Sequence, residues 1–478
     1  MTSAQTDVKS SDDPQWEIKP MPDPPPVTLR GIIKWCGPAV ILGTLSVGGF
    51  EAYHAGYVSA QLLTGIFWLY LVSCFAQLFL NNEIARYGIA TGETVMQGFY
   101  KLKPKRFWTW FTAIFVFIQQ AWPAWITGAA AGAAALMGFG TWEQWSVVAL
   151  ALVFLLFAAS PIVYKTLEYI MYACFIIANV GITIFTILMA PPSAFAKVAT
   201  DWLSFGLIPA GISVAAIGPF LNQPAGGFWN FWHTYWVREK GMGMSAYMGR
   251  VTGLAWRPEE IRRSGYIFDT NNPNELKKFS QWMKVNGITM VLFFIILGGI
   301  WFTYVVSVAG YTAASIYGLK VPSGWRIAVV IAEIFGKVWG PLAFSLFGIV
   351  IIFSLFDSQF SVYDGIARQW ADTLYLELPE KTGRRPYRFW YFVMLAIIVV
   401  WGIMAIPLGT PYAIWLAVNW LGNLAHAYVT LGVLYLNYKL LPKPIRPKWY
   451  HILVNVAWGI VCIAYFIIWT VYQPPWAS

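Results

Sequence analysis

Runs of about 20 apolar residues, each long enough to cross a bilayer as a helix, follow one another along nearly the whole 478-residue chain. Hydrocarbon offers no partner for a backbone N–H or C=O, so a chain of this kind folds as packed helices. The pattern predicts an all-α polytopic membrane protein of about 11 transmembrane helices. Span 1 covers 31–60, span 2 62–86, span 3 107–137, span 4 144–160 and span 5 162–190. Span 6 covers 205–238, span 7 280–309, span 8 327–358 with a polar extension, span 9 388–406, span 10 411–438 and span 11 450–472. A composition that is 58% hydrophobic and only 11% charged excludes a water-soluble globular domain.

The net charge of +10 would suit a nucleic-acid partner, but its placement has another cause. Of the 32 Lys and Arg residues, all but Lys197, Lys320, Arg326 and Lys337 fall in the N-terminal segment or next to the loops that follow even-numbered spans. That is the bias of cytosolic loops, with the N-terminus inside and, after eleven spans, the C-terminus outside. No nucleic acid is needed to explain it. The expected location is the cytoplasmic membrane, and the expected partners are the lipid bilayer and a small solute. Residues 1–30 are polar and proline-rich and read as a flexible cytosolic tail. Residues 31–472 form one transmembrane domain, and 473–478 a short extracytoplasmic tail. The four cysteines are scattered among apolar segments, and the four histidines show no metal-ligand spacing.

Two spans contain residues that a plain membrane helix rejects. Span 1 carries Gly48 and Gly49, followed by Glu51 and His54. A glycine pair weakens a helix, and an intramembrane carboxylate marks a functional site. Span 6 carries Pro219, Pro224, Gly226 and Gly227 around Asn222 and Gln223. Both spans are expected to unwind, at about 47–51 and 219–227. The breaks lie five spans apart and are entered from opposite sides. This is the signature of an inverted 5+5 repeat with discontinuous helices 1 and 6, whose site forms where the two breaks meet. Helix ends before each break offer carbonyls to cations, and those after it offer N–H groups to anions. Glu51 follows the first break, so it reads either as a cation ligand or as a dipole partner.

Other polar groups lie at depth. Ser354, Asp357, Ser361, Asp364 and Arg368 recur at spacings of three and four, which places them on one face of span 8. This face reads as a permeation path, with Gln359 beside it, or as an interfacial surface. Asn419, Asn423 and His426 form a polar face on span 10. Gln119 and Gln120 in span 3 are weaker candidates. Asn272-Pro273-Asn274-Glu275 reads as a helix start ahead of span 7, with Asn272 as cap and Glu275 reaching back to it.

Certain short stretches resemble a known family. Gly37-Pro38 opens span 1 ahead of Gly48-Gly49-Phe50-Glu51, Tyr164-Lys-Thr-Leu-Glu168 starts span 5, and Gln359 precedes Asp364-Gly365-Ile-Ala-Arg368. With the eleven-span topology, these resemble the Nramp family of divalent-metal transporters, and more closely a divergent Nramp-related branch with the leucine-transporter-type fold. The resemblance covers roughly residues 31–472. It departs at the site itself. Where the family has Asp-Pro-Gly-Asn, this chain has Gly48 at the aspartate position and Glu51 at the asparagine position. Where the family has Met-Pro-His, it has Asn222-Gln223-Pro224. Hard oxygen ligands of this kind suit Mg²⁺ better than softer transition metals.

The resulting expectation is a secondary transporter that moves a cation, with a divalent metal as the case the resemblance implies. Gly48, Glu51, His54, Phe220, Asn222, Gln223, Asn419 and Asn423 are the candidate ion-binding residues, with Glu51, Asn222 and Gln223 as metal ligands. Asp357, Gln359, Ser361 and Asp364 are the candidate permeation path. A small organic solute on the same fold is a second reading, supported by Phe50, Tyr53, Phe228 and Trp229 near the breaks. A non-transporting membrane subunit or receptor is a third. No catalytic constellation and no Gly-Lys-Ser/Thr phosphate loop is present, so neither an enzyme nor a cofactor is expected.

Overall fold

A computed structural model describes residues 16–318, 333, 336, 339–378, 385–409 and 411–473. The expectations for residues 1–15, most of the C-terminal tail, the start of span 8 and the side chains of Phe50 and Tyr53 lie outside the described residues. Helices occupy all eleven segments marked in the sequence. Seven of the described helices are long and apolar enough to cross a membrane. Spans 1, 3 and 6 are each divided into shorter pieces.

Span 8 is the spine. Its helix Pro341–Glu377 packs on the second half of span 3, on spans 5 and 9, and on span 1. Span 1 does not unwind as expected. Its helix Gly37–Ser46 widens into a π-helix over Val47–Ala55 and closes again as an α-helix over Gly56–Ala60. The sequence explains this difference. After Pro38 no proline removes a backbone donor, so the glycine pair lets the helix loosen without releasing its hydrogen bonds into an apolar interior. Gly48 is needed for contact: a Cβ there would lie 1.7 Å from the Ser354 carbonyl oxygen of span 8.

Span 7 repeats the device, with a π-helix over Met290–Trp301 between the α-helices Pro273–Thr289 and Phe302–Ser315. The two widened spans cross through glycine. A Cβ at Gly298 would lie 2.7 Å from Gly43 Cα. Span 6 is interrupted as expected, between the helices Val214–Asn222 and Phe228–Lys240, with a cis Gln223–Pro224 peptide. Pro219 stays inside the first half and does not break it. Span 3, expected to be continuous, is split between Phe107–Gln120 and Ala124–Met137, next to Pro123, which has no N–H to continue the ladder.

The described part of the N-terminal segment is not a loose tail. Glu17–Ile18 pairs in parallel with Tyr266–Ile267 in the span 6–7 connection. Trp282 and Gln281 donate to the carbonyls of Pro22 and Pro25 at 2.9 and 2.8 Å. Glu275 does not close the expected cap box: its carboxylate accepts from the Met21 N–H, while Asn272 caps the helix through Asn274 N. A proline-rich stretch cannot pair with itself, but its carbonyls remain free for side chains of a neighbouring helix.

Gly298→Ala should cost about 1–3 kcal/mol through the clash with span 1, read as a lower Tm in detergent. Gly287→Ala serves as the control: its new methyl would meet only Asn82 Oδ1, at 3.7 Å, and stability should hold or rise.

Candidate functional site

The interruption of span 6 leaves backbone groups without helical partners in a fully buried place, and span 2 satisfies them. Ser73, Gln77 and Asn81 lie one turn apart on one face of the helix Trp68–Thr91. The Gln77 side-chain oxygen accepts from Ala225 N at 2.9 Å and from Asn230 Nδ2 at 3.2 Å. Its nitrogen donates to the Asn222 carbonyl at 3.1 Å. The Ser73 hydroxyl reaches the Gln223 and Leu221 carbonyls, at 2.5 and 3.0 Å, and Asn81 donates to Asn230 Oδ1 at 2.7 Å. Gly227, at φ +74°, lets the second half-helix start against span 10, where a Cβ would meet Ala425 and His426 N at 2.9 Å.

On this frame, four of the expected residues come together. Asn222 Nδ2 donates to the Asn419 carbonyl at 2.7 Å, and Gln223 Nε2 donates to Asn419 Oδ1 at 2.8 Å. Asn423 Nδ2 donates to the carbonyls of Gly218 and Asn419, at 3.3 and 3.1 Å. Asn419 is therefore a positioning residue, with both its oxygens engaged. The other three amides use their nitrogens for the protein and leave an oxygen over. Asn222 Oδ1, Gln223 Oε1 and Asn423 Oδ1 are buried with no hydrogen-bond partner among the described residues.

Glu51 is held by the same helix, span 2. It is fully buried, and its Oε1 accepts from the Tyr70 hydroxyl at 2.6 Å. Thr303 of span 7 stands 3.0 Å from that same hydroxyl. Glu51 Oε2 has no hydrogen-bond partner among the described residues. Tyr70 is one turn before Ser73 on span 2, so one helix face serves both Glu51 and the span 6 interruption. His54 lies elsewhere: Nε2 donates to the Ala216 carbonyl at 2.6 Å, and the ring packs against Phe220 and Trp415. Phe220 is buried in this aromatic cluster with Phe67. Gly48 touches span 8 beside Asp357, whose Oδ1 accepts from Ser358 at 3.1 Å and whose Oδ2 lacks a hydrogen-bond partner among the described residues.

The remaining span 8 residues are buried and engaged with described partners. Gln359 braces the split in span 3, accepting from Ile126 N at 3.3 Å and donating to the Trp122 carbonyl at 3.4 Å. Ser361 bonds back to the Asp357 carbonyl of its own helix, at 3.0 Å. Asp364 accepts from Arg368 Nε at 2.9 Å and from Tyr391 at 2.8 Å, while the other end of Arg368 pairs with Glu239 of span 6. A desolvated, doubly paired guanidinium ties the second half of span 6 to spans 8 and 9.

The sequence reading missed Tyr70, Ser73, Gln77 and Thr303. The 4-residue step from Ser73 to Gln77 to Asn81 in an apolar run was the available signal.

No protein-family model matches the chain, and no curated protein matches it in sequence. Solved structures do match. A mutant of the manganese transporter of Eremococcus coleocola superposes with a TM-score of 0.61 at 13% identity, covering 97% of this chain and 92% of that one. The same transporter in complex with an aromatic bis-isothiourea compound gives 0.58 at 13% identity, with coverage of 97% and 92%. Mhp1, a nucleobase-cation-symport-1 family transporter, gives 0.50 at 11% identity, with coverage of 92% and 94%. The chain shares their fold. It is predominantly helical, with the polytopic fold of these transporters.

Gln77→Leu should orphan the Ala225 N–H and the Asn222 carbonyl at about 1–3 kcal/mol for each buried group. The expected result is a lower Tm in detergent. Phe75→Leu, at an exposed site on the opposite face of the same helix, should be much milder.

Proposed function

We propose that the protein is a secondary transporter that moves a small hard cation across the cytoplasmic membrane by alternating access. The observation that carries this reading is the set of unengaged oxygens: one carboxylate oxygen of Glu51 and three amide oxygens from spans 6 and 10, all buried. A buried acceptor without a donor is costly, and a cation relieves that cost. Among the described residues no three His, Cys, Asp or Glu side chains gather in a group that could hold a metal. A single carboxylate with neutral oxygens suits an ion that keeps part of its water shell, as Mg²⁺ does, better than one that needs sulfur or imidazole.

In this reading Glu51 supplies the charge that draws the cation in. Asn222, Gln223 and Asn423 replace part of its hydration, and Asn419 and Gln77 hold those amides in place. The Arg368–Glu239–Asp364 cluster keeps the basic end closed, and separation of spans 6 and 8 there would open the exit along Asp357, Ser361 and Asp364. The excess of Lys and Arg at that end supports a cytosolic orientation. One further observation favours a small organic solute on the same frame. Trp125 and Trp229 pack at a tilt of 58°, ring centroids 5.1 Å apart, and both indole N–H groups are buried without a hydrogen-bond partner among the described residues. They would offer donors that a bare cation does not use.

Uptake into proteoliposomes tests the proposal, with Mg²⁺ and Mn²⁺ as alternative substrates. Glu51→Gln keeps the shape and removes the charge. It should weaken cation affinity roughly tenfold to a hundredfold while the Tm holds. Unchanged cation uptake by this variant would remove Glu51 as a ligand and favour the organic solute.

A further inference from the structure

A cavity of about 780 Å³ opens at the basic end of the molecule, between span 2, the start of span 7 and the connection from span 10 to span 11. Arg86, Lys284, Lys443, Arg446, Lys448 and His451 line it, and no carboxylate does. Glu83, behind the wall, neutralises only one side: it pairs with Arg86 at 2.9 Å and lies 2.8 Å from His451 Nδ1. Arg86 in turn donates to the Ile445 carbonyl at 3.3 Å, which fixes the connection against span 2. Lys284, Lys443 and Lys448 form no ion pair with any described residue. Their mutual repulsion is held in place by the Lys443-Pro444-Ile445-Arg446-Pro447-Lys448 sequence, whose two prolines stiffen the chain.

The depth of the cavity can be read from its aromatics. Tyr438, Trp449 and Tyr450 flank it and are exposed, as side chains of the membrane–water boundary are. The opposite wall is apolar, with Leu276, Phe279 and Met283. A concave basic surface at headgroup level, with apolar residues to one side, has the chemistry of an anionic-lipid site. We infer that this cavity binds the phosphate headgroup of an anionic phospholipid, which clamps the start of span 7 to spans 2 and 11. The phosphate oxygens meet the three unpaired lysines and the chains lie along the apolar wall. This inference does not rest on the transport reading, because none of its residues belongs to the Glu51 or Asn222 cluster.

The test uses the full chain in detergent and follows Tm against added short-chain phosphatidylglycerol, phosphatidylcholine or inorganic phosphate. The wild type should show a saturable rise in Tm with phosphatidylglycerol that phosphatidylcholine does not give, and that falls as NaCl is raised. Lys284→Gln/Lys443→Gln/Lys448→Gln should weaken the apparent affinity roughly a hundredfold. Its Tm in phosphatidylcholine should equal that of the wild type, because all three side chains are exposed. Removing the same charge elsewhere, by Lys105→Gln/Lys165→Gln/Lys277→Gln, should leave the effect intact. An equal effect of both triple variants would reduce the cavity to general surface charge and overturn the site. So would an inorganic-phosphate response as strong as the lipid's, or no preference for phosphatidylglycerol.

Discussion

The interruption of span 6 depends on the polar face of span 2, and on Gln77 above all. Gln77 satisfies a backbone N–H, a backbone carbonyl and Asn230 at once, in a place that water does not reach. Without such a partner an unwound segment at membrane depth would carry several unsatisfied groups, each costly in hydrocarbon. With it, the five residues from Gln223 to Gly227 become a rigid platform. The amides of Asn222 and Gln223 can then turn their nitrogens toward span 10 and leave their oxygens free. The placement of these free oxygens is thus set by a residue that contributes none of them.

The same economy of hydrogen bonds explains why the two interrupted spans differ. Span 6 contains prolines, which remove donors outright, and it needs an external satisfier. Span 1 contains only glycines at its weak point, and it keeps its hydrogen bonding by widening into a π-helix. Span 7 widens beside it, and the two make contact where Gly43 faces Gly298.

At the basic end, closure is electrostatic. Arg368, Asp364 and Glu239 are all fully buried, and each charge has an opposite neighbour. Breaking such a pair leaves an uncompensated buried charge unless water enters as the helices part. The N-terminal strand paired to Tyr266–Ile267 and the carbonyls held by Trp282 and Gln281 add a second layer over the same region.

The sequence by itself determined the membrane class, the helical segments, the orientation bias, the place of the span 6 interruption and the single carboxylate of span 1. These follow from composition, period and proline or glycine placement, which act within a few residues of one another. Only the tertiary structure decided that span 1 widens where unwinding was expected, and that span 3 is split. It also decided that the N-terminal strand is docked, and that Asn222, Gln223, Asn419 and Asn423 form one cluster while Glu51 meets Tyr70 and His54 the Ala216 carbonyl. Each of those outcomes depends on a partner far away in the chain. Gln77 and Asn222 are 145 residues apart, and Gln359 and Ile126 are 233 apart. A local pattern shows that a buried polar group needs a partner; the packing of the helices decides which one it meets.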